Sequence, residues 1–311
     1  VHPAASVIVF TTLSGAGYGA LALLAGFAAA GHALPPDWPL AIALLGALAF
    51  VSIGLLSSML HLGRPERAWR AVTQFGSSWL SREGVLALLT YPAVLLFGYG
   101  LLATEFGGWW RLSALAVLVL AIATVVATGM IYASLKPIAA WRHRLVVPGY
   151  LVFAAGSGAL WLLPLDLASG GAMQPALGIA AVLLCLLGAV LKVLYWRGLE
   201  RQALPSRAAA LGMPELAQAT PLDPPQTSAG YLQREMGFRI ARKHARRLRR
   251  LALLVGFLLP AVVAILALLP AAALPAALLG GLAAVLAQSG LLVERWLFFA
   301  EARHTVMLYY R

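Results

Sequence analysis

Eight long apolar runs, nearly free of charge, decide what this chain can fold into. They cover residues 7–30, 40–60, 84–104, 112–135, 148–165, 172–191, 251–269 and 275–293. A hydrocarbon core about 30 Å thick is crossed by roughly 20 residues of α-helix. Inside it every backbone N–H and C=O must be bonded within the spanning structure, so runs of this length predict membrane-crossing helices. Composition agrees: 61% of the 311 residues are hydrophobic and 11% charged, with a mean hydropathy of +0.86, whereas a soluble domain carries about a quarter charged residues. The expected class is an all-α polytopic membrane protein with eight transmembrane helices. Residues 1–311 are expected to form a single integral membrane domain, with 198–250 as a basic cytoplasmic loop. The first residues carry no basic stretch and the run after them is too long for a signal-peptide core, so 7–30 is expected to be the first span.

Charge orients the bundle. With eight spans, 22 of the 23 Lys and Arg residues fall on the side of the termini and only Arg111 falls opposite. Basic residues accumulate in cytoplasmic loops, so both termini are expected in the cytoplasm. Removing any middle span would scatter the basic loops over both faces.

The 198–250 connection has a middle rich in proline and small polar residues, which predicts a loop that leans on something else. Its end is strongly basic, through Arg239, Arg242, Lys243, Arg246, Arg247, Arg249 and Arg250. That cluster suits an orientation signal that also binds anionic membrane lipids, and it equally suits an acidic soluble subunit. No soluble domain accompanies the charge, so nucleic acid is not an expected partner. A single cysteine, Cys185, excludes an internal disulfide and any thiolate cluster, so no metal centre is expected in this chain. Gly15, Gly17, Gly19 and Gly26 in the first run read as small residues for close helix packing.

The interiors of the runs hold almost no ionisable residue apart from Lys192 near an end, which argues against a charged proton path across the bilayer. Five histidines map to the side of the termini and only His32 opposite, so paired ligands for two stacked haems are lacking. The connection between the second and third runs is the most unusual. His61 stands at the end of one run and Glu83 at the start of the next, and they are neighbours if the two helices pack as a hairpin. A quinone headgroup exchanges two electrons and two protons. Its site needs a group that titrates near neutral pH, which suits His61, and a second group to pass the proton to water, which suits a carboxylate at the membrane edge. Helix dipoles alone also favour a histidine at a helix C-terminus and a glutamate in a first turn. Arg64, Arg67 and Arg70 read as a solvated interfacial face, and Trp69 and Trp79 as interface anchors.

The run Ser58-Met59-Leu60-His61-Leu62-Gly63, the Ser-Trp-Leu-Ser-Arg-Glu stretch ending at Glu83, Tyr132-Ala133-Ser134-Leu135-Lys136-Pro137 and the tail Glu294-Arg295-Trp296-Leu297-Phe298-Phe299-Ala300-Glu301 resemble the dimethyl sulfoxide reductase anchor subunit family. The resemblance covers essentially the whole chain. It implies two four-helix bundles, with the first four spans framing a quinone or quinol site whose histidine and glutamate fall on His61 and Glu83. Thr11, Ser57, Tyr132 and Lys136 are then expected at the same membrane level as lining residues, together with Arg64, Trp79, Ser81 and Arg82. It further implies a complex in the bacterial cytoplasmic (inner) membrane. There an iron-sulfur electron-transfer subunit and a catalytic subunit with a molybdenum bis-pterin cofactor would exchange electrons with menaquinone or ubiquinone through this chain. The favoured complex is a cytoplasm-facing sulfite:quinone oxidoreductase, and the alternative a quinol-oxidising anchor of an S- or N-oxide or polysulfide reductase. Outside that family, a small-solute transporter would need helices interrupted at mid-membrane, for which Gly156-Ser157-Gly158 and Pro260 are the only hints, and an anchor without quinone chemistry is the third reading.

Overall fold

The computed structural model describes residues 3–35, 37–60, 62–102, 108–173, 175–201, 206–213, 215, 219, 240–269 and 272–308. It contains eight helices long and apolar enough to cross a membrane: α1 (Ala5–Ala29), α2 (Asp37–Met59), α3 (Trp79–Leu102), α4 (Trp109–Ala133), α5 (Val146–Ala168), α6 (Ala176–Arg201), α7 (His244–Ala267) and α8 (Ala273–Ala300). They are apolar on nearly every face, because lipid and helix neighbour are equally apolar solvents for a side chain. Exposed leucines such as Leu45, Leu56, Leu95 and Leu278 cover the outside. Which side of each helix turns inward is therefore decided by small and polar residues.

The two halves of the chain pair their helices alike. α1 lies against α2 and α4, and α3 against α4, while α5 lies against α6 and α8, and α7 against α8. The halves join where α1 crosses α5, and these two are the most buried spans. Gly17-Tyr18-Gly19-Ala20-Leu21 and Gly156-Ser157-Gly158-Ala159-Leu160 repeat one pattern on the two helices. At the crossing a Cβ on Gly19 would overlap the Ala154 carbonyl, and one on Gly158 would overlap the backbone of Gly19 and Ala20. Only glycine lets the backbones come so close. Gly17 serves α2 in the same way, a Cβ there falling 2.6 Å from the Ala47 carbonyl oxygen.

The condition of an α2–α3 hairpin is not met closely, since these helices touch only sparsely and each packs mainly on another neighbour. The connection between them contains a 3₁₀ segment, Pro65–Gln74, lying against α3. The interruptions expected of a transporter are also missing from the described residues. α5 runs unbroken through Gly156-Ser157-Gly158. α7 absorbs Pro260 with a π-helical turn at Leu254–Leu258, where one extra residue accommodates the ring's clash with the preceding turn.

Several helices extend beyond their apolar runs. α3 begins at Trp79, ahead of residue 84, and α8 continues to Ala300, past residue 293. Glu83, Glu294 and Arg295 are thereby built into helices. All three lie toward the end of the bundle that carries the chain's first and last described residues. At this end Ser57 of α2 donates to the Ser6 carbonyl (3.1 Å), and the Thr305 amide donates to the Pro137 carbonyl (3.0 Å). Arg249 pairs there with Glu200 (2.6 Å) and Glu301 (3.0 Å).

Candidate functional site

Glu83 sits one turn inside α3 and is 3% exposed. Among the described residues no Lys or Arg pairs with it. Its partner is the Thr128 hydroxyl on α4. That hydroxyl also lies 3.0 Å from the Thr124 carbonyl, four residues back on its own helix. A threonine has one hydrogen to give. When Glu83 is ionised, Thr128 donates to it; when Glu83 is protonated, it donates to Thr128, whose hydrogen turns to Thr124. The pair thus accommodates both states of the carboxyl without moving a heavy atom.

Thr128 is also on the wall of a small cavity, about 20 Å³, between α1, α4, α5 and α8. Thr11, Thr12, Ser14, Tyr18, Tyr150 and Ser157 supply further hydroxyls, and Arg295 closes one side. Thr12 and Ser14 give their hydrogens to the Ile8 and Phe10 carbonyls (2.9 and 2.7 Å), and Ser157 gives its own to Phe153 (2.7 Å). Their lone pairs are left for a ligand. Tyr18 and Tyr150 are buried, Tyr18 beside Thr124 and Tyr150 beside Arg295. Hydroxyl acceptors and phenolic donors around one cavity suit a ligand that changes between carbonyl and hydroxyl.

Comparison with known proteins gives this arrangement its context. Residues 2–300 match the family model described as DMSO reductase anchor subunit (DmsC). The chain belongs to that family. It is also similar to a sulfite dehydrogenase subunit of Allochromatium vinosum, at 33% identity over 330 residues, covering 100% of this chain and 99% of that relative. It is thus a multi-pass membrane anchor of a molybdopterin oxidoreductase, working beside catalytic and electron-transfer subunits.

In this anchor subunit the residues expected to line the site are scattered. His61 lies outside the described residues. Thr11 is buried on the cavity wall. Tyr132 is buried one turn past Thr128, in an aromatic group with Trp141, Tyr150, Phe298 and Phe299. Ser81 is buried but accepts from the Gln74 amide (3.1 Å), fastening the 3₁₀ segment to α3. Arg82 lies over the Trp79 ring at 4.3 Å and donates to the carbonyls of Phe75 (3.0 Å) and Gly76 (2.7 Å), so both shape the connection and not the cavity. Ser57 ties α2 to α1, while Arg64 and Lys136 are exposed.

Sequence reasoning missed most of the cavity. Tyr18, Thr128, Tyr150 and Ser157 are isolated polar residues on three helices, and only packing assembles them. It also missed a charged cluster beyond Arg295. Lys192 of α6 reaches Glu294 of α8 at 2.5 Å, and Arg295 Nε reaches the other Glu294 oxygen at 3.1 Å. All three are buried. Lys192 stands over the ring of Tyr195 (4.2 Å) and Arg295 over that of Tyr150 (4.0 Å), so aromatic faces hold the surplus positive charge. The signal was the apolar stretch Trp296-Leu297-Phe298-Phe299-Ala300, which carries the helix past the two charges. No group of three or more His, Cys, Asp or Glu side chains among the described residues could hold a metal.

Proposed function

We propose that this anchor subunit exchanges electrons with quinone, whose headgroup enters the cavity beside Glu83. One observation carries the reading: a buried carboxyl with no cation, bonded to a hydroxyl on the wall of a polar cavity inside an otherwise apolar bundle. Intramembrane ionisable groups are costly and point to function. Quinone reduction places two electrons and two protons on the ring oxygens. The electrons come from an iron-sulfur partner, and Glu83 with Thr128 hands a proton to the nearer oxygen. His61, by its motif, is the second proton-exchange group of this reading.

The basic end of the bundle, with both termini, faces the cytoplasm of a bacterial inner membrane, in line with the positive-inside rule. The molybdenum subunit docks there through the iron-sulfur subunit. Similarity to a subunit of a sulfite dehydrogenase favours sulfite as the electron source, passed to menaquinone or ubiquinone. The family description supports the reverse reading, a quinol-oxidising anchor of a dimethyl sulfoxide reductase. The site serves both directions, and the test is whether a photoreactive quinone bound to the assembled complex labels the cavity walls.

A further inference from the structure

A proton that reaches Glu83 arrives at a carboxyl only 3% exposed, on a helix covered by α4 and the 3₁₀ segment. Tyr150 and Arg295 belong both to the wall of the cavity beside it and to that of a second small cavity, about 20 Å³, lined also by Lys192, Tyr195 and Glu294. Tyr150 lies within electrostatic reach of both carboxylates, Glu83 and Glu294. Beyond Lys192 lie Tyr195, whose hydroxyl donates to the Ala140 carbonyl (3.1 Å), and the half-buried His143, whose ring meets that of Tyr195 at 5.2 Å. His143 is in the α4–α5 connection, at the end of the bundle that carries the termini.

Resting on the quinone reading above, we propose that Glu294 is the proton-transfer group between the headgroup cavity and the aqueous phase at that end. Paired with Lys192 and Arg295, it relays the proton in passing and does not retain it, the transfer to water going by way of His143. For each quinone reduced, two protons enter from water along this route while the partner's iron-sulfur subunit supplies two electrons. In quinol oxidation the same groups release two protons. A carboxylate between two cations is also what a purely structural clamp between α6 and α8 would look like, and the two roles separate by experiment. The groups facing Glu294 are Lys192 and Tyr195 from α6, Tyr150 from α5 and Arg295 from its own helix, with His143 and Glu301 beyond Lys192.

The experiment uses the assembled complex, purified through its partner subunits. E294Q alone leaves two buried cations uncompensated, so the decisive variant is Lys192→Gln with Glu294→Gln, which keeps the net charge of the cluster. Turnover with a short-chain quinone is expected to fall on the order of 100-fold, as for loss of a positioned acid–base group. KM is expected to stay within about twofold, and the loss to grow as pH is raised and protons become scarce. The structural role predicts wild-type turnover and an unshifted pH profile in the double variant, and that result overturns the proposal. A conservative E294D that restores no turnover to a complex still binding quinone also counts against it. If a photoreactive quinone fails to label the cavity in the wild type, the quinone reading itself fails. If labelling holds in both complexes but turnover is equal, only Glu294 loses its role.

Discussion

Replacing Thr128 by valine removes one hydroxyl and keeps the branched shape that packs α4 against α1 and α3. The hydroxyl is the partner that the structure gives to the Glu83 carboxyl, and both groups are buried. A hydrogen bond to a charged group contributes about 1.5–3 kcal/mol, and nothing in the surrounding hydrocarbon replaces it. At about 1.4 kcal/mol for each factor of ten, the ionised form of Glu83 becomes roughly 10- to 150-fold harder to reach. Turnover by the assembled complex with a short-chain quinone should drop by about that factor, because each cycle passes the carboxyl through both states. Assembly should persist, since Thr128 contributes no other hydrogen bond between helices. Thr128→Ser restores the donor and should recover most of the rate. Wild-type turnover in the valine variant, or a serine variant as slow as the valine one, would refute the reasoning.

Two further outcomes concern the frame. Gly19→Val places side-chain carbons against the Ala154 carbonyl at the α1–α5 crossing, so the halves of the bundle cannot close and the yield of complex on size-exclusion chromatography should collapse. Gly46→Val, on open space, should leave it intact. Burial and the neighbouring Arg144 and Lys192 hold His143 below the ordinary imidazole range. The unfolded chain then binds the proton that the folded chain refuses, so stability is full above the ordinary imidazole pKa and is lost as pH falls through it. The thermal midpoint of the complex in detergent should decline on acidification from pH ~7 to ~5, and His143→Gln should flatten part of that slope.

The spans were legible because lipid demands apolar runs of fixed length, and Gly17 and Gly19 of α1 were legible as packing positions. The pairing of helices was not. A helix apolar on all sides carries no periodicity to show which face turns inward, so the contacts of α1 with α4 and α5, and the cavity they enclose, appear only in three dimensions. Glu83 was marked by its motif, yet its place one turn inside α3 makes it a sealed carboxyl and not one that exchanges directly with water. Glu294 and Arg295 were hidden for the opposite reason. Two adjacent charges look like the end of a span, whereas α8 carries them inward by pairing them with Lys192 on a helix more than ninety residues earlier. Hydropathy counts each charge as exposed and does not register that two of them neutralise one another.

Photolabelling of the assembled complex with an azido-quinone, followed by peptide mapping, shows whether the cavity between α1, α4, α5 and α8 receives the quinone headgroup. The label should fall on α1 between Thr11 and Tyr18 and on α4 around Thr128, excess unlabelled quinone should abolish it, and Glu83→Gln should weaken it. Label confined to the lipid-facing leucines of α2, α3 or α6, undiminished by competing quinone, would contradict that reading.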